Sequence, residues 1–154
     1  MVRMPVVGAM LAARAVAAAP AADPVTGTWK PDVARSQFSP GAAPKARIRT
    51  YAESAQGTVL TLKTTAADGR DATATLTFTD DGKPHPATGD PDFDAVAVTR
   101  VDALTVRTVQ MKAAATVGAG ARTFSQDGKT LTFAQQGRHA SGAKYDNVSV
   151  YDRQ

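Results

Sequence analysis

From Thr26 onward the chain is a succession of short runs in which apolar and polar residues alternate, separated by turn-forming pairs. Alternation with period two puts every second side chain on one face, which suits half-buried strands and not helices. Ala72–Thr79 is the clearest case. Ala72, Ala74, Leu76 and Phe78 fall on one face, and Thr73, Thr75, Thr77 and Thr79 on the other. Asp-Gly recurs at Asp68-Gly69, Asp81-Gly82 and Asp127-Gly128, each time followed by Lys or Arg. Glycine accepts positive φ without steric cost, so these pairs predict tight hairpins.

The pattern predicts strands over Thr26–Lys30, Ala46–Ser54, Thr58–Ala66, Ala72–Thr79, Asp94–Val101, Leu104–Met111, Thr116–Phe124, Thr130–Gln136 and Lys144–Tyr151. One short helical turn is expected after the first strand, over Asp32–Phe38, with Asp32 as its cap and Pro31 and Pro40-Gly41 as its bounds. Most connections are too short for Greek-key crossovers. Strands adjacent in sequence should therefore pair as an up-and-down meander, and such a meander hides its edges by closing on itself. The expected fold is all-β, an antiparallel barrel of about eight to ten strands. An open two-sheet sandwich is the alternative.

The first 21 residues read differently. Arg3 is followed by the apolar run Pro5–Ala13 and by Ala19-Pro20-Ala21. A basic start, a short apolar segment and an A-x-A-like site form a secretory signal pattern, with cleavage expected before Ala22. The run is too short for a spanning helix. The expected organisation is a signal peptide over 1–21 and one domain over 22–154. The expected location is secreted or periplasmic, with no transmembrane segment in the mature chain.

Composition narrows the chemistry. The chain has no cysteine, which rules out disulfides, thiolate catalysis and Cys-based zinc sites. Arg3 and Arg14 lie in the leader and no acidic residue does, so the net charge of +4 falls to +2 for the remainder. That excess is too weak for a nucleic-acid footprint. Lys45, Arg47 and Arg49 alternate on one strand face, but no aromatic residues interleave there to stack bases, and the face reads as a solvated exterior.

Gly27-Thr28-Trp29-Lys30 gives a G-x-W in the first strand, and this resembles the opening of the lipocalins. The longer string Gly27–Gly41 (GTWKPDVARSQFSPG) is similar to a group of exported bacterial lipocalin-like proteins, as are Asp81–Val106 and the closing KYDNVSVYDRQ. The resemblance implies a calycin-type barrel. It also implies that Trp29 packs at the closed end beneath a late-strand arginine, with Arg153 the best match and Arg138 the alternative. Such a pair is structural, so Trp29 is not expected to touch a ligand.

Candidate ligand contacts follow from the barrel. Tyr51, Phe78, Phe124, Phe133, Tyr145 and Tyr151 could line an interior able to hold one small apolar or amphiphilic molecule, could fill the core, or could cover the outside of the sheet. If Asp102-Ala103 makes a two-residue turn, Val98 faces Arg107 and Arg100 shares its face. The two guanidiniums could then clamp a carboxylate or phosphate. The opposing reading places that face outside. Lys83–Asp92 reads as a Pro-stiffened connection with an edge strand, or as a lid over the mouth. His85, between two prolines, and His139, beside a turn, read as exposed loop residues. Neither is followed at i+2 or i+4 by a metal-ligating partner, so no metal and no cofactor is expected. No nucleophile–base motif is present, and an enzyme ranks behind a binding module and behind a filled, interaction-only barrel.

Overall fold

The computed structural model describes residues 24–154; the leader and its cleavage point lie outside the described residues. Ten strands follow one another without a helix between them. They are β1 (Gly27–Ser39), β2 (Ala46–Ser54), β3 (Gly57–Thr65), β4 (Asp71–Phe78), β5 (Asp81–Thr88), β6 (Ala95–Arg100), β7 (Thr105–Lys112), β8 (Ala115–Phe124), β9 (Thr130–Arg138) and β10 (Lys144–Arg153). Each pairs antiparallel with its sequence neighbour, and β1 pairs with β10 to close the barrel. This is the all-β, closed up-and-down barrel that the alternation predicts.

Three local expectations are corrected. The helical turn over Asp32–Phe38 does not form, because this stretch continues β1. Its register against β10 jumps from Asp32↔Val150 to Gln37↔Val148, a wide bulge. The Asp32 carboxylate accepts the Arg35 backbone N–H, and the Ser36 hydroxyl donates to the Asp32 carbonyl. The capping chemistry is present but bends a strand, since pairing to β10 satisfies the backbone on both sides of the bulge.

The second correction concerns Lys83–Asp92. Its first half is β5, which pairs with both β4 and β6 and so is not the edge strand expected there. Proline cannot donate to a ladder, and β5 is sparsely stitched to β4, at Thr75↔Thr88 and Leu76↔Ala87. Asp81-Gly82 is not a turn but a bulge inside β5, where Gly82 takes φ 76° and the register against β6 slips by one. His85 is consequently a half-buried strand residue bonded to Asp81, 3.0 Å away.

The third is the β6–β7 register. Asp102 accepts the Leu104 backbone N–H through its side chain, so the turn takes three residues and Val101 bonds Thr105. Val98 therefore faces Thr108, and Thr99 faces Arg107. A one-residue slip exchanges the faces of a strand, which separates Arg100 from Arg107.

The core is concentrated at one end. Val25, Trp29, Val106, Leu131 and Tyr151 are essentially without solvent exposure. The Trp29 indole donates to the Val25 carbonyl at 2.8 Å and lies 5.6 Å from the Phe124 ring. Arg153 covers its other side, with the guanidinium carbon 4.3 Å from the ring centroid. The same guanidinium donates to the carbonyls of Gly128, Thr26 and Pro24. This end is plugged.

Candidate functional site

Above the plug the barrel is not filled. A cavity of about 140 Å³ runs between the sheet walls, comparable to a void that takes a single benzene-sized molecule. Its walls are built by strand alternation. Leu60 and Leu62 come from β3, Leu76 and Phe78 from β4, and Val96 and Val98 from β6. Of the six aromatic residues expected to line it, Tyr51, Phe78, Phe133 and Tyr145 do, whereas Phe124 and Tyr151 are buried in the core instead.

Tyr145 sits toward the open end. Its hydroxyl donates to Gln110 at 2.8 Å. It lies over the paired glycines 118 and 137, where a Cβ on either would come within 2.8 Å of that hydroxyl. The two glycines thus leave the space into which the ring folds against the wall. Burial, followed by the nearby Asp92 charge, pushes the Tyr145 phenol up.

The two arginines proposed from the β6–β7 hairpin are not on this wall. Arg107 points outward and is exposed. Arg100 lies at the opposite end, paired with Asp80, and borders a separate cleft of about 130 Å³. Their pairing into one anion clamp is excluded by the register.

Two other arginines take the interior. Arg49 of β2 is 6% exposed and Arg122 of β8 is 3% exposed, and both line the cavity. Expecting Lys45, Arg47 and Arg49 on a solvated face is wrong for two of the three. Arg47 lines the cavity nearer the mouth and donates to Thr64, while Lys45 is exposed just before β2. The signal was available: Arg47, Arg49 and Tyr51 share parity, so placing Tyr51 inside commits the arginines to the inside too. Likewise Arg122 stands two residues before Phe124, a core residue.

Arg49 donates to the Tyr51 hydroxyl at 3.1 Å and lies over the rings of Phe133, at 4.7 Å, and Tyr151, at 5.3 Å. Arg122 lies over Tyr51, at 5.2 Å, and Phe124, at 5.5 Å. Burial alone would raise the phenols of Tyr51 and Tyr151. The positive charge of Arg49, joined by Arg122 for Tyr51 and by Arg47 for Tyr151, outweighs it and holds both below the usual value.

The mouth is crossed by the β5–β6 connection. The Asp92 carboxylate accepts the Ala140 backbone N–H and pairs with His139 Nδ1, both at 2.7 Å. His139 also packs against the Tyr145 ring, at 4.7 Å. Asp90 accepts the Asp92 backbone N–H, and its own burial raises its carboxyl above the ordinary range. Among the described residues no group of three or more His, Asp or Glu side chains converges as a metal site. No helix among them is long and apolar enough to cross a membrane.

No protein-family model and no curated protein matches the sequence. Among solved structures, the chain is similar in fold to zebrafish ileal bile acid-binding protein complexed with cholic acid. The TM-score is 0.47 and the identity 8%, over 85% of this chain and 99% of that one.

Proposed function

We propose that this chain is an exported binding barrel of the lipocalin-like kind that holds one small, partly apolar molecule in its interior. The observation that carries the reading is the cavity itself. The meander closes on space lined by aliphatic and aromatic side chains with a few placed polar groups, the usual make-up of a small-molecule site. A barrel acting only through its outer surface has no need of that space and gains stability by filling it. The export part rests on the leader pattern alone and is checked by recovering the processed chain, beginning at Ala22, outside the cytoplasm.

Titration calorimetry with indole, a neutral aromatic of about the size of the cavity, tests the binding part. It should bind saturably at one molecule per barrel, and a bulky Ala74→Trp substitution on the cavity wall should abolish the signal while circular dichroism stays that of a β-protein. Indole that never saturates, or that binds the Ala74→Trp variant equally well, refutes the interior site.

A further inference from the structure

We infer that the ligand of this barrel is an anion, a carboxylate-headed amphiphile, whose head sits between Arg49 and Arg122 and whose apolar part faces Leu62 and the mouth. The inference deepens the binding reading and rests on it.

The two guanidiniums are more than nine-tenths buried on the cavity wall, yet among the described residues no carboxylate pairs with either. Arg49 Nε, Arg122 Nε and Arg122 Nη2 are buried N–H donors for which the described residues supply no acceptor. The aromatic faces around them attract the charge but leave those donors open. Burying an arginine without a paired acid is expensive and uncommon, and here two occur on one wall, both beside Tyr51.

The other charged groups on the wall do not answer them. Asp92 is committed to His139 and Ala140, and Asp90 to the Asp92 backbone, all at the mouth. Arg47 adds a third positive charge. Ordered water could occupy the open donors, but it would not offset two like charges. A carboxylate does both, since its two oxygens offer several acceptor positions to planar N–H forks. The depressed Tyr51 and Tyr151 phenols agree with an interior held at positive potential.

The apolar remainder of the wall, from Leu60 to Phe93, leaves room for a single ring or a short chain beyond the head. A bare inorganic anion would leave that surface unused.

Octanoate and octan-1-ol, which share a chain and differ in the charge of the head, separate the alternatives by isothermal titration calorimetry on the whole protein at neutral pH. Octanoate should bind at least about tenfold more tightly than the alcohol. Arg49→Gln and Arg122→Gln should each weaken octanoate much more than octan-1-ol and so remove that advantage. If a variant does not fold, the comparison on the unaltered protein decides alone. Equal affinities for acid and alcohol overturn the anionic head while sparing the binding reading. If neither binds and indole also fails, both fall together. If neither binds while indole saturates, only the charge assignment is lost.

Discussion

Asp92 and His139 meet across the barrel mouth, Oδ2 against Nδ1 at 2.7 Å, although 47 residues separate them in sequence. With the Ala140 N–H on the other carboxylate oxygen, this contact ties the β5–β6 connection to the β9–β10 hairpin. The pair is partly exposed, with side-chain exposures of 27% for Asp92 and 46% for His139, so solvent screening limits it to no more than about 1 kcal/mol of stability. Asp92→Ala should therefore leave the unfolding midpoint nearly unchanged while amide exchange quickens in residues 89–94 and 139–143. Unaltered exchange there would show that the tie does not hold the mouth.

At the plugged end the same reasoning gives a larger number. Arg153 stacks on Trp29 and donates to three backbone carbonyls. Its loss combines a cation–π contact with charge-assisted hydrogen bonds, so Arg153→Ala should cost roughly 2–4 kcal/mol. Arg153→Lys should recover little, because an ammonium cannot reproduce the planar fork. Urea titrations of the three proteins check both statements; a lysine variant as stable as the parent would contradict them.

The three tyrosines of the chain should titrate apart. Tyr51 and Tyr151 are held below the usual value of 10.0 by the interior arginines, and Tyr145 is raised by burial and Asp92. Tyrosinate absorbance should rise in two steps, the earlier one about twice the amplitude of the later. A phenol depressed by folding adds stability that is complete above its unfolded pKa and fades as pH falls through the folded one. Stability should thus gain from Tyr51 and Tyr151 as alkaline conditions approach pH 10, unless other groups unfold the barrel first. Arg122→Gln should move the Tyr51 step upward, and a single step common to all three would count against the interior field.

Between β7 and β8 the hairpin turns on Ala113 and Ala114, both at positive φ, 48° and 64°. That is the backbone of a type I′ turn, which favours Asn-Gly because a Cβ is strained there. Ala114→Gly should stabilise the protein by roughly 0.5–1.5 kcal/mol, the relieved strain exceeding glycine's extra freedom in the unfolded chain. A lower melting temperature for this variant would show that the turn is not strained as its dihedrals indicate.

Much of the barrel could be read before the structure because alternation is a property of single strands. Ala46–Ser54 falls on β2, and Ala72–Thr79 presents Leu76 and Phe78 inward as its pattern requires. What stayed hidden depends on neighbours. Pro84 and Pro86 speak against a strand, yet β5 tolerates them because its ladder to β4 is short. The faces of β6 and β7 depend on whether the Asp102 turn takes two residues or three, and that single step puts Arg107 on the opposite face from Arg100. The charge of Arg49 argues for the exterior and its parity with Tyr51 for the interior; the aromatic rings that make its burial tolerable arrive from β9 and β10, far along the chain.

Trp29 is the chain's sole tryptophan, and it lies sealed under Arg153 with its indole N–H already engaged. Its emission should be blue-shifted and should report whether the barrel is intact, while remaining nearly blind to whether anything occupies the space above. A flat intrinsic-fluorescence trace during a titration would then say nothing about occupancy, and a changing one would mean that the floor of the barrel had moved.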